Sequence, residues 1–99
     1  MSLLDAERLR TIRADVENEV RLLDELLSRT SSPALKRTLA MARRDIAEIE
    51  PNLLKHVAES PDPGTLLMGA ELCLAAAVNV RQLAQVDANV TAESGRAVS

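Results

Sequence analysis

Apolar residues recur along the first third of the chain at steps of three and four: Leu9, Ile12, Val16, Val20, Leu23 and Leu27. That spacing draws one apolar stripe along an α-helix, because 3.6 residues complete a turn. Ser2 offers an N-cap oxygen with Asp5 three residues on, a shortened capping box. Glu17 with Arg21 and Glu25 with Arg29 form acid-then-base pairs at i,i+4, each supporting the helix by roughly 0.3 kcal/mol. No glycine or proline intervenes before Pro33. The pattern predicts a first helix over about 3–29.

Thr30-Ser31-Ser32-Pro33 punctuates the chain, with Ser32 suited to an N-cap and Pro33 to the first helical position. Leu35, Leu39, Ala42, Ile46, Ile49 and Leu53 then follow in strict 4-3-4-3-4 spacing, and Val57 extends the series. Such a heptad seam packs along a neighbouring helix. The short connection folds the first two helices into an antiparallel hairpin. Pro51 lies inside the seam, where it removes one backbone bond and crowds the preceding turn. Because the heptad continues through it, the second helix is expected over about 33–59, kinked at Pro51 but continuous. The alternative is a stop near Glu50 and a separate short helix from Pro51 to Glu59.

Ser60-Pro61-Asp62-Pro63-Gly64 is the strongest break, and the same capping logic starts a third helix at Pro63, reaching about residue 90. Its first half, LLMGAELCLAAAVNV from Leu66 to Val80, is interrupted only by Glu71 and Asn79. From Arg81 the pattern turns amphipathic, with Arg81, Gln82, Gln85 and Asn89 on one side and Leu83, Val86 and Val90 opposite. The stretch 91–99 loses periodicity and is expected to be a flexible tail. Three helices of roughly 27 residues, about 40 Å each at the α-helical rise, predict an all-α fold. The specific expectation is an up-down-up three-helix bundle with a long helical hairpin, in a single domain spanning 1–99.

A helix apolar all round is buried on all sides, and two neighbours leave part of Leu66–Val80 uncovered. The uncovered part is placed on the side that later turns polar, so Leu67, Glu71, Leu74 and Val78 are the predicted interface. Small residues (Gly69, Ala70, Ala75, Ala76, Ala77) would admit a close neighbour. Composition reinforces this reading. Apolar residues make up 46% of the chain, yet Phe, Tyr and Trp are absent and Cys73 has no cysteine to pair with. A small core without aromatics or staples gains most from oligomerisation, so the bundle is expected to be completed by dimerisation into a larger one. Glu71, inside the apolar run, calls for an arginine from the first two helices, a cleft, or the solvent rim. Asn79 either fixes register across a dimer or lies exposed.

The net charge of −3 is spread along the chain, and stacking aromatics are missing, which disfavours nucleic acid as a partner. The basic group Lys36, Arg37, Arg43 and Arg44 has Asp15, Glu17, Glu19, Asp24 and Glu25 of the first helix as neighbours. Catalytic and metal chemistry find little purchase. His56 is followed by Val57-Ala58-Glu59-Ser60, placing acid where the histidine phosphotransfer motif has base. One histidine and one cysteine cannot complete a zinc site within one subunit, and the three glycines lack phosphate-loop spacing. Cys73 sits mid-helix in apolar surroundings, which raise a thiol pKa and lower its reactivity. The expectation is a non-enzymatic self-association or protein-interaction module, with no cofactor and no metal. Its partner is itself, in a homodimer, and beyond that another protein. The alternative is a small-ligand-binding helical regulator with a pocket near Glu71 at a dimer seam, His56 and Arg81 being further candidates. The charged N-terminus and an apolar run of fifteen residues, short of the roughly 20 that span a bilayer, predict a cytoplasmic chain without a membrane segment.

Overall fold

In a computed structural model, the backbone is described for residues 1–98 and side chains for residues 1–87. Helices α1 (Leu3–Arg29), α2 (Pro33–Ala47), α3 (Ile49–Asn52) and α4 (Pro63–Val98) follow in order, with a 3₁₀ segment at Leu54–Glu59. No strand occurs among the described residues, and α1, α2 and α4 pack against one another in an all-α fold. The expected flexible tail over 91–99 lies outside the residues whose side chains are described.

Each long helix starts where a side-chain oxygen can accept a free backbone N–H. Ser2 Oγ accepts from Asp5 N at 3.1 Å, Ser32 Oγ from Leu35 N at 3.4 Å, and Asp62 Oδ1 from Thr65 N at 3.3 Å. Ion pairs then relate the helices. Arg8 meets Glu71 and Glu19 meets Arg81, so α1 and α4 advance in the same sense. Asp24 meets Arg43 and Arg13 meets Glu50, so the α2–α3 limb runs back against α1.

The second helix is divided on either side of Pro51 rather than bent at it. Pro51 has no N–H for the Ala47 carbonyl and its ring crowds that turn, so the α-ladder ends one turn earlier. Glu48 N–H instead donates to Asp45 at 3.3 Å, a tighter i→i−3 bond. A second change follows at Leu53 (φ −123°, ψ −61°), after which His56 N bonds Leu53 O at 3.1 Å in 3₁₀ fashion. The non-helical dihedrals at Leu53 interrupt the helical register, so the inward positions resume one residue later in the 3₁₀ segment. Leu54, not Leu53, therefore joins Ile49 and Val57 in the core, and Leu53 is left half-buried.

The core is aliphatic: Ile12, Leu23 and Leu26 from α1; Leu39, Ala42 and Ile46 from α2; Leu67, Ala70, Leu74, Ala77 and Ala84 from α4. On α1 the inward seam reads Ile12, Val16, Glu19, Leu23, Leu26, Thr30, again in 4-3-4-3-4 spacing. Thr30 satisfies its hydroxyl on Leu26 O at 2.7 Å. Glu19 occupies a core position, and its partner is what fixes the orientation of α4.

Candidate interaction surface

Successive residues of α4 turn by about 100°, so its inward and outward faces can be separated. The inward face carries Leu67, Ala70, Leu74, Ala77, Arg81 and Ala84, covered by α1 and α2. Arg81 belongs there because its Nε donates to Glu19 Oε2 at 2.5 Å, the two side chains being 15% and 3% exposed. Two opposite charges that satisfy each other can occupy a seam that neither could occupy alone.

This arrangement reverses the faces expected from the sequence. Leu67 and Leu74, assigned there to an open surface, are enclosed by their own chain, and Val78 is half-buried beside them. Arg81, where their side turns polar, is neutralised internally by Glu19, so its charge does not mark solvent. The small residues Ala70 and Ala77 likewise serve contacts within the chain.

The outward face carries Met68, Leu72, Ala75, Ala76, Asn79, Gln82, Leu83 and Val86. Leu72 is 65% exposed, Leu83 64%, Val86 60% and Met68 53%. No charged side chain belongs to this face between Thr65 and Val86, a span of about 30 Å at the α-helical rise. Scattered exposed apolar residues are ordinary, but a contiguous uncharged stripe of this length marks an interaction surface. On the α2 side the stripe adjoins a shallow groove of about 390 Å³ lined by Met41, Ala42, Cys73, Ala76, Ala77 and Val80. Met41, at the groove's edge, is itself exposed.

Glu71 flanks the stripe on the α1 side. Its carboxylate takes both arms of Arg8, at 2.5 Å to Nη2 and 3.4 Å to Nε, and this bond holds the Arg8 guanidinium pKa above its usual value. The pair is about two-fifths exposed, at a rim. Shallow clefts lie on either side of it, one reaching Leu4 and Thr11, the other Asp15 and Asn79.

The remaining candidates do not converge. His56, a ligand candidate in the sequence, lies exposed on the 3₁₀ segment, away from Glu71 and Arg81 on α4. Arg81 is committed to Glu19, which removes it from any ligand role on the surface. Burial pushes the Cys73 thiol pKa up, and the carboxylates of Asp45 and Glu48 push it the same way, opposite to what a nucleophile needs. Arg43 pairs with Asp24 across the hairpin and Arg44 with Glu48 along it, which breaks up the basic group on α2. Among the described residues no group of three or more His, Cys, Asp or Glu side chains could hold a metal ion.

Measured on the helix rather than on the apolar run, Pro63–Asp87 offers 25 residues and a window of mean hydropathy 1.4, enough by length and composition to cross a bilayer. The expectation from the fifteen-residue run undercounts this segment. Of its three charges, Glu71 and Arg81 are paired to α1 and Asp87 lies at its end, and its inward side chains already have protein neighbours. No family model matches the chain, and neither does any curated protein or solved structure.

The residues missed from sequence are Met68, Leu72, Leu83 and Val86. One signal could have found them. Glu19 stands on the strict heptad of α1, and Arg81 is the only base between Leu66 and Val86 that could answer it. Turning Arg81 inward turns those four outward.

Proposed function

We propose that this chain is a non-enzymatic interaction module that self-associates through the outward face of α4. The unit is an up-down-up three-helix bundle, and two units join into a six-helix assembly. The observation that carries the reading is the uncharged stripe with Leu72 and Leu83 roughly two-thirds exposed. Leaving such a surface in water forgoes about 25 cal/mol for each Å² that a partner would cover. A small aromatic-free core is the kind of domain that gains from such cover. The single cysteine accords with a reducing, cytoplasmic setting.

The small-ligand reading has less support, because each of its anchors is engaged or remote. Glu71 is held by Arg8, Arg81 by Glu19, and His56 lies on a different segment.

Light scattering tests the proposal. The wild-type chain should show twice the monomer mass at tens of micromolar, and Leu72→Arg should return it to monomer with its helical circular dichroism unchanged. A wild-type chain that remains monomeric at that concentration sinks the proposal.

A further inference from the structure

We infer that the occupant of this face is a second copy of the chain, packed antiparallel, with the twofold axis passing through Asn79. The inference rests on the reading of α4 as a self-association surface and adds its orientation and register.

In an antiparallel pair centred on Asn79, positions equidistant from it face each other. Leu72 then meets Val86 of the partner subunit, and Ala75 meets Leu83 of the partner subunit, with both contacts repeated by symmetry. Each layer has a similar total volume, so the two helices keep one separation along the contact. A parallel pair would set Leu72 on Leu72, Ala75 on Ala75 and Leu83 on Leu83, alternately wedging the helices apart and leaving a void. Close packing penalises both departures.

The groove beside the stripe adds a second argument. Met41, Ala76, Ala77 and Val80 give it a mainly apolar lining, which Thr38 and Asp45 complete. It lies about one helical turn from Asn79, on the side toward Leu72. The antiparallel register delivers the partner's Leu83 to that level, and symmetry returns the contact. Asn79 supplies the polar term. Its amide both donates and accepts, so two copies on a twofold axis satisfy each other, where an apolar neighbour would leave both groups unpaired. A single polar layer in an apolar seam is also what holds one register against slippage.

The area is adequate. One side of a helix about 30 Å long and 10 Å across presents on the order of 500 Å². The groove and Met41 widen the contact toward the ~800 Å² per partner of a standard interface.

Directed disulfide formation, combined with sedimentation equilibrium, tests the orientation. Cys73→Ser removes the native thiol, and Leu72→Cys, Asn79→Cys and Val86→Cys are then made singly on that background. In a glutathione redox buffer, mixing the Leu72→Cys and Val86→Cys chains should yield a covalent heterodimer as the main product, and Asn79→Cys should cross-link to itself. Efficient self-cross-linking of Leu72→Cys would establish a parallel pair and overturn the inference while leaving the self-association surface standing. A dimer mass with neither cross-link would overturn the register in the same way. A monomer at tens of micromolar, or a dimer unaffected by Leu72→Arg, overturns the inference and the functional reading together. Monomer that instead floats with phosphatidylcholine–phosphatidylglycerol vesicles identifies a bilayer as the occupant and overturns both.

Discussion

Glu19 and Arg81, 62 residues apart in sequence, meet inside the bundle with the carboxylate Oε2 2.5 Å from the guanidinium Nε. This contact sets the rotation of α4 about its axis and thereby decides which apolar side chains are core and which face outward. Removing one partner leaves the other charged and poorly solvated. Arg81→Met or Glu19→Leu alone should each cost about 3–5 kcal/mol, while the double variant should recover most of that loss. Urea unfolding of the two single variants and the double variant measures the coupling. Additive losses would show that the pair does not act as a unit.

The limits of sequence reading trace to the same pair. Helix starts at Leu3, Pro33 and Pro63 were legible because each depends on a cap within three residues: Ser2, Ser32 and Asp62. The seam from Leu35 to Ile49 was legible because one helical period governs it. Beyond Pro51 that period changes, and Leu54 replaces Leu53 inside. The faces of α4 were not legible from its own wheel, which treats a charge as a mark of solvent. A residue distant in the chain had to be placed opposite Arg81 before Leu67 and Leu74 could be assigned to the core.

Gly69 faces no constraint that requires glycine. A Cβ added there would lie 3.9 Å from Leu53 Cδ1, an ordinary van der Waals contact, and φ is not positive. A glycine inside a helix carries extra backbone entropy in the unfolded chain. Gly69→Ala should therefore stabilise the fold by about 0.5–1 kcal/mol, read as a rise in the urea midpoint with the slope unchanged. A loss of stability would mean that Leu53 cannot give way.

Cys73 should react slowly. Burial, then Asp45, then Glu48, raise its pKa, so at a given pH a smaller fraction is thiolate than in free cysteine. Labelling by a disulfide reagent should lag behind free cysteine at neutral pH. Its rate should keep rising beyond about pH 8.5, the usual thiol value, where the free amino acid begins to level off. Asp45→Asn should speed the reaction by removing one of the opposing charges. Neutral-pH labelling as fast as free cysteine would contradict this environment.

Leu67 and Leu72 are both leucines on α4, and the structure gives them opposite thermodynamic roles. Leu67 is fully enclosed, so Leu67→Ala removes buried methyl groups and should cost about 2–5 kcal/mol at any protein concentration. Leu72 is 65% exposed in the single chain, so Leu72→Ala should change the stability of the monomer by less than about 0.5 kcal/mol. If the outward face docks a second copy, unfolding of the wild type becomes concentration-dependent, because assembly stabilises the folded chain by mass action. Leu72→Ala should then abolish that dependence while leaving the dilute limit untouched. Thermal melts of both variants across a hundredfold range of concentration separate the two effects. A wild-type midpoint independent of concentration would leave Leu72 a solvent-facing residue and remove the ground for assembly through α4.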